Sequence, residues 1–305
     1  MPSVLRSHLA LFLVNLLYGA SYVVSKGLMP GVIGANGFIL CRVVGAAILF
    51  WLLFLLSYEK VKRKDLGLLA LCGLFGVGIN QLFFFNGLMI TSPINAPIIM
   101  VTTPILVLIL SLIFLKEKIR TPQIVGVILG AVGAVIFSLQ NSNTGFATGL
   151  GDLFIFFNAV SYAIYLMLVK PLMSRYNTLT VITWVFTFGF IFVISWPYSI
   201  PEFAAVQWSQ LSSPVIIRMI FVVVGVTFLP YILNLYAMKK VSPTISAVYI
   251  YFQPLLATVF VYLFYIFGLE DYRGDISFSK ILNAIIIFVG VYLVIMPAKE
   301  KQPIS

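Results

Sequence analysis

Ten long runs of apolar residues are the feature that most constrains the fold of this chain. Each run approaches or exceeds the roughly 20 apolar residues that an α-helix needs to cross a bilayer. Only helices and closed barrels can span a membrane, and the sequence lacks the alternating pattern of a barrel. We therefore predict an all-α integral membrane protein with ten transmembrane helices. The runs cover about 8–26, 34–56, 66–88, 93–115, 122–139, 151–170, 178–198, 215–237, 243–267 and 280–297.

The composition agrees with a chain whose solvent is lipid. Of the 305 residues, 61% are hydrophobic and 9% are charged, whereas soluble domains carry about 25% charged residues. The net charge of +10 does not indicate nucleic-acid binding, because the cytoplasmic loops of membrane proteins are rich in Lys and Arg. A cytoplasmic N-terminus puts 14 basic residues on inner segments and four on outer ones. This bias predicts that both termini are cytoplasmic.

The second half of the chain repeats the first. Three helix pairs match in the same order: the fourth with the ninth, the fifth with the tenth, and the first with the sixth. Each half contains five helices, an odd number, so the second copy lies upside down in the membrane. We predict two inverted five-helix repeats, 1–142 and 143–305. The matched residues are Ser92 and Pro93 with Ser242 and Pro243, Pro104 with Pro254, Asn15 with Asn158, Tyr22 with Tyr165, and Lys26 with Lys170.

Three stretches carry a resemblance to a known family. They are "YGASYVVSK" in the first helix, Arg42 in the second, and "NAPIIMVTTPILVLILSLIFLKEKIRTPQIVGVILGAVGAVI" across the fourth and fifth. Together they resemble the drug/metabolite transporter superfamily, specifically its EamA family of ten-helix carriers. The resemblance covers nearly the whole chain. It implies a bacterial inner-membrane carrier of small metabolites, often amino acids, and leaves the substrate open.

Two polar stripes lie at matching places in the first and sixth helices. Their residues recur at i, i+3, i+4 and i+7, which is one face of an α-helix. An amide exposed to lipid costs several kcal/mol, so both stripes must face protein or a water-filled cavity. They either form hydrogen bonds between helices or line a substrate path. The substrate-binding candidates here are Asn15, Tyr18 and Tyr22, with Asn158, Ser161, Tyr162 and Tyr165.

Further candidates place helices one, three, four, six, eight and nine around one central cavity. These polar and aromatic residues lie within otherwise apolar runs, where an uncompensated polar group is unfavourable. Tyr231 in the eighth helix is a lining candidate of the same kind. The additional substrate-binding candidates are Asn80, Gln81, Phe84, Asn234, Tyr249 and Gln253.

Two basic residues are the charged candidates. Arg42 falls inside the second helix, and an intramembrane arginine usually faces the interior of a bundle. Its planar guanidinium group suits a substrate carboxylate or phosphate. The same group could equally hold the backbone carbonyls of a neighbouring helix. Lys26 lies at the outer end of the first helix, where the macrodipole favours a cation. It either contacts substrate or marks the rim of the cavity as an interfacial helix end.

Two prolines and a glycine motif bear on how the helices move and pack. Pro104 and Pro254 lie inside predicted helices and remove backbone hydrogen bonds, so each is either a hinge for alternating access or a static kink. Gly126 and Gly130 form a GxxxG motif, extended by Gly133. Small residues allow close helix contact, either within the fold or at a dimer face.

These features predict a secondary transporter, an exporter, of small metabolites. Amino acids or related neutral or zwitterionic compounds fit best, because no acidic residue lies clearly inside the membrane. The transporter would work by alternating access through a midplane cavity. Alternatives are an exchanger of phosphorylated metabolites or nucleotide sugars and, from another class, an intramembrane lipid-modifying enzyme. We expect no enzymatic activity, no cofactor or metal, no nucleic acid, a monomer or weak homodimer, and the bacterial inner membrane.

Overall fold

The computed structural model describes residues 2–93, 95–116, 119–139, 149–269, 271–272, 285–286, 289–294 and 296. Most of these residues are helical, and no β-strand occurs among them. The α-helices longer than five residues are α1 (Pro2–Leu28), α2 (Ala35–Leu56), α3 (Leu66–Gly73), α4 (Ile79–Ile90), α5 (Asn95–Met100), α6 (Thr102–Phe114), α7 (Thr121–Leu139), α8 (Gly149–Met173), α9 (Thr178–Ile194), α10 (Ser199–Ala204), α11 (Ser213–Ile220), α12 (Leu229–Met238), α13 (Pro243–Val248) and α14 (Gln253–Ile266).

Three segments with other helical hydrogen-bond patterns join some of these helices into longer rods. A π-helical segment, Leu74–Gly78, connects α3 to α4. A second π-helical segment, Phe221–Phe228, connects α11 to α12. The 3₁₀ segment Tyr249–Phe252 connects α13 to α14. Each rod therefore changes its helical register part-way along its length.

Within the described part of the chain, seven helical stretches are long and apolar enough to cross a membrane. Two shorter apolar helices are Thr121–Gly133, which belongs to α7, and Thr178–Ile194. These nine stretches coincide with the first nine predicted runs. The tenth predicted run, 280–297, and the predicted boundary between the repeats at 142–143 lie wholly or mostly outside the described residues. The count of ten and the sidedness of the termini therefore remain predictions.

The distribution of side chains is that of a protein in lipid. The surface carries large apolar residues, such as Leu56 and Ile113, which are 84% and 62% exposed. The interior holds buried polar residues, among them Asn15, Asn158 and Gln253. In water this arrangement would leave a large apolar surface in contact with solvent. In a bilayer the apolar surface is satisfied by lipid, and the polar groups find their partners inside the protein.

Glycines let α7 pack closely against the segment 289–294. A Cβ atom on Gly126 would lie 2.5 Å from the carbonyl oxygen of Gly290, and one on Gly290 would lie 2.6 Å from the Gly130 nitrogen. The ring of Tyr251 occupies the space beside Gly130, and its hydroxyl donates to the Val127 carbonyl at 2.8 Å. Of the two uses predicted for the motif, Gly126 and Gly130 thus serve packing within the fold.

The helices are interrupted at related places in the two halves. At the 150-residue offset that relates the fourth and ninth predicted helices, the π-helical segment Leu74–Gly78 falls on the last five residues of Phe221–Phe228. The turn at Val101, between α5 and α6, falls within the 3₁₀ segment Tyr249–Phe252. These four irregular segments lie in the third, fourth, eighth and ninth predicted helices.

The two prolines lie just after these breaks rather than in the middle of continuous helices. Pro104 is in the first turn of α6, which begins at Thr102. Pro254 is the second residue of α14. A proline is tolerated in the first turn of a helix because its missing N–H has no intrahelical partner there. The expected kinks are therefore breaks that precede each proline by a few residues, and their role as hinges stays a prediction.

Candidate functional site

A large cavity lies between the helices of both halves. It contains about 710 Å³ of empty space, its open mouth included. Its walls come from α1, α2, α4 and α5 in the first half, and from α8 and the two rods α11–α12 and α13–α14 in the second. Both halves thus contribute to the same cavity.

The cavity brings together most of the residues that the sequence singles out. From the first half these are Asn15, Tyr18, Tyr22, Arg42, Asn80, Gln81 and Phe84. From the second half they are Asn158, Tyr162, Asn234 and Gln253, together with the lining candidate Tyr231.

Four predicted site residues do not line the cavity. Ser161 donates its hydroxyl to the Phe75 carbonyl at 2.6 Å, so it holds the π-helical segment of the third predicted helix. Tyr165 is buried with its ring against Gly76. Tyr249 lies with its hydroxyl 2.8 Å from His8 Nδ1. These three residues tie helices together, and the fourth, Lys26, does the same at a helix end.

Lys26 and Lys170 make equivalent contacts in the two halves. Lys26 Nζ donates to the carbonyls of Leu88, Met89 and Thr91 at 3.0, 2.6 and 2.8 Å. These carbonyls end α4, so the lysine caps a helix C-terminus, where backbone acceptors lack partners. Lys170 Nζ donates to Met238 and Val241 at 2.5 and 2.9 Å, at the end of α12. The role expected of Lys26 at the rim is therefore that of a helix cap.

The first polar stripe is fixed by a chain of hydrogen bonds across the cavity wall. The Tyr22 hydroxyl donates to Gln253 Oε1 at 2.6 Å. Gln253 Nε2 donates in turn to Asn15 Oδ1 at 2.7 Å, and Asn15 Nδ2 donates to the Leu11 carbonyl at 2.8 Å. This chain joins α1 of the first half to α14 of the second, so it crosses between the repeats.

The second polar stripe makes a corresponding set of contacts. Asn158 Nδ2 donates to the Asn80 carbonyl at 2.8 Å, and Asn80 Nδ2 lies 3.5 Å from the Asn158 carbonyl. Asn234 Nδ2 donates to the Tyr162 hydroxyl at 2.6 Å, and the Ser246 hydroxyl donates to Asn234 Oδ1 at 2.7 Å. The two amides join α8 to α4 and to α12. The polar wall is therefore held in fixed positions, as a selective site requires.

Arg42 is the one charged side chain among the described residues that line the cavity. It is 4% exposed, and its Nε donates to the Thr227 hydroxyl at 2.9 Å. Its guanidinium carbon lies 4.1 Å from the ring centre of Phe85 and 5.6 Å from that of Phe38. Such cation–π contacts stabilise a desolvated cation. Its Nη1 has no partner in the described structure.

The π-helical segments form part of the cavity's support. The Tyr231 hydroxyl donates to the Gly76 carbonyl at 2.7 Å, and Thr227 donates to the Val222 carbonyl at 2.9 Å. Insertion of π-helical turns leaves carbonyls that need other donors, and such turns occur often at functional sites. Tyr231 at the cavity wall and Thr227 within the second π-helical segment supply such donors here. Val226, within the second π-helical segment, lines the cavity itself.

Sequence reasoning missed several lining residues. Ser21, Phe85 and Ser246 line the cavity, and so do four apolar residues: Val14, Met100, Val226 and Ile250. An apolar residue in an apolar run carries no signal of which way it faces. Ser21 lies in the helical turn between Tyr18 and Tyr22 and donates to the Tyr18 carbonyl at 2.9 Å. Its place beside the predicted polar stripe is the sequence feature that could have identified it as a lining residue.

Comparison with known proteins adds independent information on this arrangement. The model of the EamA-like transporter family matches residues 5–139 and again residues 149–296. An uncharacterised transporter of Archaeoglobus fulgidus is 25% identical over 97% of this chain and 99% of its own length. A Streptantibioticus cattleyicolor protein named as a probable terminal-alkyne amino-acid exporter is 23% identical over 68% of each chain. A solved crystal structure superimposes with a TM-score of 0.71 at 16% identity, covering 96% of both chains.

Proposed function

Because the chain belongs to the EamA-like transporter family, we propose that it is a secondary transporter that moves a small metabolite through the central cavity by alternating access. The observation that carries this proposal is the cavity itself. It lies between two copies of the family unit, and both copies supply its polar walls. Sites at the interface of repeats are typical of secondary transporters.

Amino acids and related zwitterionic compounds are the substrates that we propose. The walls combine amides and tyrosines with apolar residues such as Phe84 and Met100, so they suit a substrate with a polar end and an apolar body. The relative named as an amino-acid exporter supports this class. We propose export as the direction of transport, on the same support.

The mechanism that we propose uses the breaks in the helices as hinges. The turn at Val101 and the 3₁₀ segment Tyr249–Phe252 lie in equivalent helices of two repeats that we take to be inverted. If one break bends as the other straightens, the cavity opens to one side of the membrane at a time. Pro104 and Pro254 would keep the backbone at these breaks from closing into continuous helix.

The remaining features of the proposal follow from this role. We propose a multi-pass protein of the bacterial cytoplasmic membrane with both termini inside, two repeats that meet near residues 142–143, and a monomer or weak homodimer as the working unit. The relatives named as transporters support a carrier rather than an enzyme. A phosphorylated substrate is less favoured, because Arg42 is the one cation among the described lining residues and Lys26 is engaged in a helix cap.

A flux assay tests this function. We would reconstitute the purified protein in liposomes and measure the flux of each of the 20 amino acids with and without a pH gradient. We expect flux of at least one amino acid, and a pH gradient that accelerates it would reveal proton coupling. Protein-free liposomes give the background. Absence of amino-acid flux above that background would rule out the substrate class.

A double variant tests the site. Asn15→Ala combined with Asn158→Ala removes one amide from each polar stripe, so we expect loss of transport in a protein that still folds. The matched control is Asn177→Ala, because Asn177 is exposed in the loop before α9. Thermal unfolding checks the fold of both proteins. Transport at the wild-type rate by the folded double variant would show that the site lies elsewhere.

A further inference from the structure

Arg42 carries a positive charge inside the cavity without a compensating negative one. Within the described part of the chain, none of the residues that line the cavity is Asp or Glu, and the one salt bridge joins Arg175 to Asp65 elsewhere. A charge within the membrane is unfavourable, and natural proteins pair it or use it. The neutral Thr227 hydroxyl and two aromatic rings offset only part of this cost.

The environment of Arg42 leaves one part of its guanidinium free. The Nε atom is engaged by Thr227 at 2.9 Å, and the ring of Phe85 lies against the group. The Nη1 atom is buried and has no partner among the described residues. A guanidinium edge matches the two oxygens of a carboxylate. Resting on the proposed transport function, we propose that Arg42 is the specificity-determining residue of the cavity and binds the carboxylate of the substrate.

This assignment narrows the substrate class. A carboxylate neutralises the Arg42 charge, whereas an amine would add a second positive charge to a cavity with no acidic residue among those described. A neutral compound would leave the charge unpaired. The carried compounds are therefore carboxylates with an apolar body, which include zwitterionic amino acids and simple monocarboxylates. Decarboxylated amines of the same shape are excluded.

Three compounds that share one ring system test the assignment by binding. They are L-phenylalanine, 3-phenylpropanoate, which lacks the amino group, and 2-phenylethylamine, which lacks the carboxylate. We would measure their affinities for the purified protein in detergent by thermal stabilisation. We expect the two carboxylates to bind and the amine not to bind. Equal binding of the amine, or no binding by either carboxylate, would overturn the assignment.

Variants of Arg42 distinguish a role in substrate binding from a role in holding helices together. Arg42→Gln should weaken carboxylate binding about 10- to 100-fold, the factor expected for a lost hydrogen bond between charged groups. Arg42→Lys keeps the charge and loses the planar fork, so it should bind more weakly yet still prefer carboxylates over the amine. Arg63→Gln, at an exposed residue before α3, is the matched control and should leave binding unchanged. A carboxylate affinity that Arg42→Gln does not alter would refute the assignment.

The stability of the ligand-free variant gives a second readout. Removing an uncompensated buried charge is neutral or stabilising, whereas removing half of a satisfied pair is destabilising. We therefore expect ligand-free Arg42→Gln to melt at or above the wild-type temperature. A large drop in melting temperature, rescued by Arg42→Lys, would mean that Arg42 only holds helices together. Carboxylate binding without flux in liposomes would instead contradict the transport function. The assignment of Arg42 as the carboxylate-binding residue would then still hold.

Discussion

Replacing Lys26 with methionine tests whether this residue is a helix cap or part of the substrate path. The substitution keeps an unbranched side chain of similar length and removes the three hydrogen bonds to the carbonyls of Leu88, Met89 and Thr91. Each carbonyl that loses its partner costs about 1–3 kcal/mol when buried. Lys26 is only half-buried, so water can replace part of this interaction. We therefore take about 1 kcal/mol per carbonyl and expect a loss of about 3 kcal/mol.

The equivalent change in the second half provides the comparison. Lys170→Met removes donation to two carbonyls, those of Met238 and Val241, so it should lower the free energy of unfolding by about 2 kcal/mol or more. The two lysines cap different helices, and effects at separate sites usually add to within about 0.5 kcal/mol. The double variant should therefore lose about 5 kcal/mol in total.

The measurement is equilibrium unfolding in detergent, with amino-acid flux measured on the same preparations. The control is Lys60→Met, because Lys60 is exposed in the loop after α2 and should change neither quantity. A Lys26→Met protein with wild-type stability and no transport would refute the capping argument and return Lys26 to the substrate path. A protein with reduced stability that still transports at low temperature would support the cap.

Three further changes probe the wall, the packing and the hinge. Tyr22→Phe removes the donor to Gln253 Oε1, so it should cost about 1 kcal/mol in unfolding free energy and raise the KM for the transported amino acid. Gly130→Val places a side chain where the Tyr251 ring lies and should cost about 1–3 kcal/mol, as overpacking does, in the same unfolding assay. Pro254→Ala should slow flux without changing substrate affinity, and unchanged flux would refute the proposed hinge at this proline.

The positions of the helices could be predicted because hydropathy reports the solvent around a segment. The predicted run 34–56 became Ala35–Leu56, and 243–267 became a rod that ends at Ile266. The register within the rods could not be predicted in this way. The π-helical turn at Leu74–Gly78 depends on donors that come from distant parts of the chain, such as Tyr231 and Ser161.

The cavity wall could be predicted where polar residues repeat along one helical face, because lipid forces such a face inward. Asn15, Tyr22 and Asn158 follow this logic, and all three line the cavity. The pattern cannot distinguish a cavity from a contact between helices, since both are internal. Ser161 and Tyr165 share the stripe of Asn158, yet one donates to a backbone carbonyl and the other packs on a glycine.

The contacts of Arg42 explain why a charge can rest at this depth when no substrate is bound. Its Nε donates to Thr227, which lies in the π-helical segment Phe221–Phe228 and itself donates to the Val222 carbonyl five residues earlier. That spacing is the hydrogen-bond period of a π-helix. The hydroxyl that accepts from Arg42 is therefore held in place by its own hydrogen bond to Val222 within the π-helical segment. The irregular segment thus places an acceptor for Arg42 Nε beside the cavity that Arg42 lines.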